Sequence, residues 1–165
     1  MSELILRNGA TEAVFKARFP LPYVVRAMTP WEAVAAGLNP EVQQWVFEQP
    51  FIYESDAYGR IYIEAGRTTD FASIPRSFQN CLQNDAPVIL LASAPHDKLF
   101  ETLGEIYPGG PVLTFGECNA VLTEAMYYLG ATEFQRSAVY SAVSIFGKGI
   151  WNQRCDELNE PDRKI

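Results

Sequence analysis

The chain has one histidine, His96, which stands beside Asp97 in the stretch Ser93-Ala94-Pro95-His96-Asp97-Lys98-Leu99-Phe100. An imidazole next to a carboxylate can take a proton from water, while the acid orients the ring or holds a hard divalent cation. Upstream, the run from Gly66 to Arg76 gathers Thr69, Asp70, Ser73 and Arg76 around a turn set by Gly66 and Pro75. A loop this dense in polar side chains suits binding or catalysis. It suits local capping equally well, because Asp and Ser side chains bond nearby backbone N–H groups. Two catalytic arrangements are open. In one, His96 is a general base on water, with Asp97 or Asp70 as its acid partner. In the other, Ser73 is a nucleophile with His96 and Asp70, though no G-x-S-x-G elbow accompanies it. The plainer reading is that these groups satisfy one another, since a buried histidine needs a partner for each ring nitrogen.

The elements around these residues follow from pattern and punctuation. Helical spacing places His96 with Leu99, Phe100 and Leu103, so its imidazole is expected to face inward. Asn119 falls with Leu122, Met126 and Leu129 on the inner stripe of the following helix. If those faces meet, His96 and Asn119 come within hydrogen-bonding reach. The first of these helices is expected from about Ala86, capped by Asp85, with Pro95 kinking or restarting it and Ser93 as a second cap. The next, Cys118 to Leu129, ends at Gly130; the third is capped by Thr132 and expected to end at Gly147. The polar tail from Trp151 is expected on a surface or a partner.

Strands dominate before that. Residues 13–19, "AVFKARF", read as a strand closed by Pro20 and Pro22. Thr29-Pro30-Trp31-Glu32 is a capping box with proline at the first helical position, opening a short helix through Ala36. "WVFEQPFIYES" and "RIYIEAG", joined through Asp56-Ala57-Tyr58-Gly59, read as a hairpin. Strands first and helices afterwards predict α+β, with antiparallel strands packed on about three helices. The expected layout is one domain over 1–165: strands over 1–66, a polar loop over 67–84, helices over 85–148 and a tail over 149–165.

Composition excludes several function classes. The net charge is −7, from 13 basic and 20 acidic residues, and no Lys/Arg cluster offsets it, so no nucleic-acid partner is expected. Cys81, Cys118 and Cys155 are odd in number and far apart with no C-x-x-C pair, which argues against a zinc knuckle or a disulfide framework and for a reducing compartment. "MSELILRNGATE" has no long apolar run, so neither signal peptide nor membrane anchor is expected.

"IYIEAGRTTDFASIPR", "APHDKLF", "FGECNAVLTEAMYYLG" and "AVYSAVSIFGKGIW" follow one another between Ile61 and Trp151. In that order they resemble an uncharacterised family of tailed phages and prophages that carries only a domain-of-unknown-function label. Gly66, Thr69, Asp70, Ala72, Ser73, Pro75, Arg76, His96, Asp97 and Leu99 sit at positions matching its pattern, and four motifs in order are far more specific than one. Two positions depart: Asn119 stands where the family has aspartate, and Phe100 where it has tyrosine. A His-Asp pair facing an acid on the next helix is similar to secreted phospholipases A2, but their calcium loop and dense disulfides have no counterpart in this sequence.

The resemblance implies a phage structural or accessory protein, a tail or tail-tip component of the virion made in the host cytoplasm. Its partners would be other virion proteins or further copies of itself. The alternative is a phage hydrolase using His96 with Asp70 or Asp97 and Ser73, assisted by a hard cation, with Asn119, Thr69 and Arg76 in support. A third class, an acidic protein that blocks a basic patch on a host protein, rests on charge alone. No cofactor is expected.

Overall fold

The computed structural model describes residues 18, 19, 24–69 and 86–165. The polar residues Asp70, Ser73 and Arg76, the cap Asp85 and Cys81 lie outside that set. The expected strand over 13–19 is described only at Arg18 and Phe19, and Arg18 is helical rather than extended.

Three antiparallel strands form one small sheet: β1 (Val25–Ala27), β2 (Trp45–Phe47) and β5 (Thr68–Thr69), in the order β1-β2-β5. Between β1 and β2 runs the short helix α1 (Pro30–Ala35). Its Thr29 hydroxyl accepts from the Glu32 amide and the Glu32 carboxylate accepts from the Thr29 amide, the reciprocal box expected there.

The hairpin is β3 (Phe51–Ser55) with β4 (Gly59–Ile63), registered from Phe51 opposite Ile63 to Ser55 opposite Gly59. Alternate residues Phe51, Tyr53, Ile61 and Ile63 are fully buried, the period-2 signature of a half-buried ribbon. One expectation needs correcting. The run from Trp45 to Ser55 is two strands in two sheets, divided at Glu48-Gln49-Pro50, because Pro50 has no N–H to give a continuing ladder. The Phe47 and Phe51 rings, 5.0 Å apart, still enter one core from either side of the break.

The second half is helical: α2 (Ala86–Glu101), α3 (Phe115–Tyr128) and α4 (Glu133–Glu157), followed by a 3-10 turn at Pro161–Arg163. Helix α3 packs on both α2 and α4, and α2 also lies against β4. The fold is α+β, with antiparallel strands in the N-terminal half and three long helices after them. Helix α2 runs through Pro95 and does not restart, which leaves the kink of the two expected outcomes, and Ser93 is buried inside it rather than capping a new start. The lost hydrogen bond costs on the order of 3 kcal/mol in an exposed helix, but Leu91, Ala92, Ala94 and Leu99 bury fully around the proline and hold the segment helical.

The turn after α2 closes at Gly104, whose φ of +84° suits glycine and whose missing side chain lets the Leu113 carbonyl approach. That approach closes the Gly/Pro-rich loop: Leu113 N donates to Gly104 O at 2.9 Å, and Glu105 bridges Val112. The fully formed capping box Thr114–Glu117 then starts α3.

Helix α4 also overruns its expected end. Gly147 sits inside it because the missing Cβ leaves room for the Phe100 ring, 3.2 Å from where a Cβ would lie. The helix continues through Trp151 and Cys155, both buried, so this part of the tail belongs to the core.

The hairpin tip is pinned to α3 by charge. Glu124 accepts from Ser55 Oγ and from the Asp56 amide, each at 2.6 Å. The Asp56 carboxylate accepts from Arg18 and from the Tyr128 hydroxyl, while the Arg18 guanidinium lies 3.9 Å over the Tyr128 ring. The Arg18 hydrogen bond, followed by that of Tyr128, holds the Asp56 carboxyl below the usual aspartate range. A carboxyl depressed in the folded state stabilises above its unfolded pKa, and that contribution is lost as pH falls through the folded one. The Asp56 carboxyl carbon, followed by NMR, is therefore expected to titrate below the free-aspartate midpoint, and Arg18→Gln is expected to move it back up. An unchanged midpoint in that variant would refute the pairing.

Candidate functional site

His96 is 2 % exposed and lies between α2 and α3. Its Nε2 is 3.0 Å from Asn119 Oδ1, and Asn119 is itself fully buried. The juxtaposition expected from helical spacing is present. With the amide oxygen as acceptor, Nε2 carries the proton and donates it. Asn119 Nδ2 in turn donates to Ser144 Oγ on α4 at 3.4 Å, so one polar thread crosses all three helices. The ring stacks on Phe100 at 4.2 Å between centroids, and Phe100 meets Phe115 and Trp151.

Asp97 plays a different part from the one its place in the sequence suggests. Its Oδ1 is 3.5 Å from His96 Nδ1, beyond the usual 2.7–3.2 Å of an N–H···O bond. Its Oδ2 accepts from Thr69 Oγ1 at 2.9 Å. Asp97 thus fastens α2 to β5, immediately before the polar loop, and orients the imidazole weakly. Thr69 is buried, and the Asp97 side chain keeps 19 % exposure. Of the remaining sequence candidates, Asp70, Ser73 and Arg76 lie outside the described residues.

A second polar group was not anticipated. Lys98 is 3 % exposed, and its Nζ donates to the Tyr62 carbonyl at 2.6 Å and to Glu64 Oε1 at 3.0 Å. Burial pushes the Glu64 carboxyl up, but the Lys98 hydrogen bond and the charges of Lys98 and Arg67 together outweigh it and leave Glu64 lowered. The signal was available: Lys98 stands seven residues after Leu91, two helical turns along the same buried stripe. Beside this pair, Glu64, Gly66, Arg67, Thr68 and Glu101 line an open cleft of about 370 Å³. Arg67 bridges both acids across it. Burial raises the Glu101 carboxyl, against the pull of Arg67.

Chemically, this arrangement joins elements. The one imidazole is out of water and spends a nitrogen on an amide, while the nearby charges are paired. Among the described residues no group of three or more His, Cys, Asp or Glu is placed to hold a metal ion. Cys118 and Cys155 are buried thiols, and burial pushes that of Cys118 up to about 12, far from the thiolate a nucleophile needs. No described helix is long and apolar enough to cross a membrane.

No curated protein and no solved structure matches the chain. A family model described as "Protein of unknown function (DUF1353)" matches residues 45–143, from β2 into α4, and so takes in His96, Asp97, Asn119, Thr69 and the whole polar loop. The chain belongs to this uncharacterised family.

Proposed function

We propose that the chain is a structural or accessory component of a phage particle, at the tail or tail tip, and that His96, Asp97 and Asn119 hold its elements together rather than perform a reaction. The observation that carries this reading is the closure of the imidazole: 2 % exposed, with Nε2 spent on Asn119. A general base must reach the proton it abstracts directly or through one water. The particle itself comes from the resemblance of the motif series between Ile61 and Trp151 to tailed-phage and prophage chains. Its partners are then other virion proteins, met after synthesis in the host cytoplasm.

Mass spectrometry of particles purified from a phage or induced prophage encoding the chain is expected to find it in several copies per particle. Particles that lack it would refute the assignment.

One observation favours the hydrolase as a second reading. The Asp97 carboxylate keeps partial exposure and meets β5 where the polar loop begins, beside the Glu64–Glu101 cleft. On that reading His96 acts as the base, with Asp97 or Asp70 as its acid partner and as the holder of a hard cation.

A further inference from the structure

Tyr53, on the core face of β3, is fully buried, and among the described residues its hydroxyl has no hydrogen-bond partner. Buried side-chain polar atoms are paired as a rule, to protein or to ordered water. Arg136 Nε is in the same condition, but its guanidinium is only half-buried and lies 5.0 Å from the centre of the exposed Tyr127 ring, at the surface. The Tyr53 hydroxyl has no such outlet.

The Tyr53 ring packs in the core, 5.1 Å from that of Phe19. A phenylalanine would fill the same space, as Phe19, Phe47 and Phe51 do beside it, without burying a hydroxyl. Where the hydroxyl ends follows from the strand. Tyr53 and Ser55 project from the buried face of β3, about 7 Å apart along it. Ser55 Oγ donates to Glu124 on α3 at 2.6 Å. Of the groups acting on the phenol electrostatically, Glu124 is the strongest, followed by Arg18, Tyr128 and Asp56. Those four form the network that pins the hairpin tip, so the hydroxyl ends beneath it. Burial and the Glu124 charge both push the phenol up, so it stays protonated and has a proton to donate.

We infer that a single buried water bridges the Tyr53 hydroxyl to the Glu124 carboxylate beneath the hairpin tip. Glu124 has the capacity for it. Its Oε1 accepts from the Asp56 amide and its Oε2 from Ser55 Oγ, and each carboxylate oxygen can accept twice. The water accepts the phenolic proton and donates its own to Glu124, which gives it the two polar partners that an internal water requires. Charge selects this occupant. The carboxylates of Asp56 and Glu124 stand against one guanidinium, that of Arg18, so the spot repels an anion. A hydroxyl that donates needs an acceptor, which a cation is not. The bridge carries the tip network into the core and joins β3 to α3 at a second point beside Ser55.

A crystal structure of the full chain is expected to show one ordered density peak within about 2.5–3.0 Å of both Tyr53 Oη and a Glu124 carboxylate oxygen. Tyr53→Phe, followed by urea titration, is expected to lower the folding equilibrium constant about fivefold, because the bridge is lost and the water keeps one partner fewer. No peak at that place, or a Tyr53 hydroxyl bonded to Glu124 directly, would overturn the inference. So would a peak with several oxygen ligands at about 2.4 Å, the mark of a cation. A Tyr53→Phe variant as stable as the wild type, or more so, would overturn it too, since that is the result for a hydroxyl buried without a partner. The particle assay bears on none of these outcomes.

Discussion

His96→Ala is expected to destabilise the fold by about 3 kcal/mol, the sum of a buried acceptor left unpaired and a ring-sized void. In a domain of this size that lowers the melting temperature by roughly 10 °C. The unpaired acceptor is Asn119 Oδ1, at a position with no solvent to replace the imidazole; the void opens against Phe100. Paired leucines make the test sharper. His96→Leu strands the Asn119 amide, and Asn119→Leu strands the imidazole N–H, so each alone costs about 2 kcal/mol. The double variant removes both ends of the bond at once and is expected to be more stable than the sum of the singles implies, by about 1 kcal/mol or more. Urea unfolding of the four proteins measures this cycle. A working general base predicts otherwise: His96→Ala would abolish an activity and leave the midpoint where it was. An unshifted midpoint ends the structural account of His96.

The His96–Asn119 contact was readable because both residues lie on apolar stripes of period 3.6, and stripes that bury must face each other. The His96–Asp97 dyad was not, because neighbours on a helix diverge by about 100° and cannot share a direction. Adjacency in sequence therefore sent Asp97 toward Thr69 and left His96 with Asn119. The hairpin was readable from the turn Asp56–Gly59 and the alternation of Phe51, Tyr53, Ile61 and Ile63. The break at Pro50 was readable as well, had the missing N–H been weighed above the aromatic run on both sides. Three differences share a cause. Local propensity favours a restart at Pro95, a stop at Gly147 and a surface tail, and burial overrides all three: Leu91 and Leu99 hold the helix through the proline, while Phe100 needs the glycine and Trp151 needs the helix. Lys98 stands on the Leu91 stripe, and burial there requires a partner for its charge, which Glu64 provides. Glu124 was missed for a different reason. Nothing local marks an acid on α3 as the acceptor for a hairpin tip far away in sequence.

Trp151→Ala is expected to be the most damaging single change, at about 4 kcal/mol, within the range for deleting a buried tryptophan. The indole is 2 % exposed and meets Phe100 at 5.3 Å and Phe115 at 5.6 Å, edge to face in both cases. Its Nε1 donates to the Arg163 carbonyl at 2.9 Å, and Arg163 in turn donates to the Leu103 carbonyl at the end of α2. One side chain thus ties α2, α3, α4 and the final turn together. Trp151→Phe separates its duties: ring packing is kept and the Nε1–H lost, so the expected loss is about 1 kcal/mol with faster amide exchange confined to the last residues. Urea titration should show a lower midpoint for the alanine variant with its slope unchanged. A cost within about 1 kcal/mol of wild type would mean that Trp151 is not part of the core. The residue lies beyond the matched segment 45–143, yet it backs Phe100, the ring on which His96 stacks. Loosening Trp151 is therefore expected to loosen His96 as well, and the imidazole resonances of Trp151→Phe should broaden or move. Unmoved imidazole resonances in that variant would show that the His96 pocket is closed by the matched segment alone.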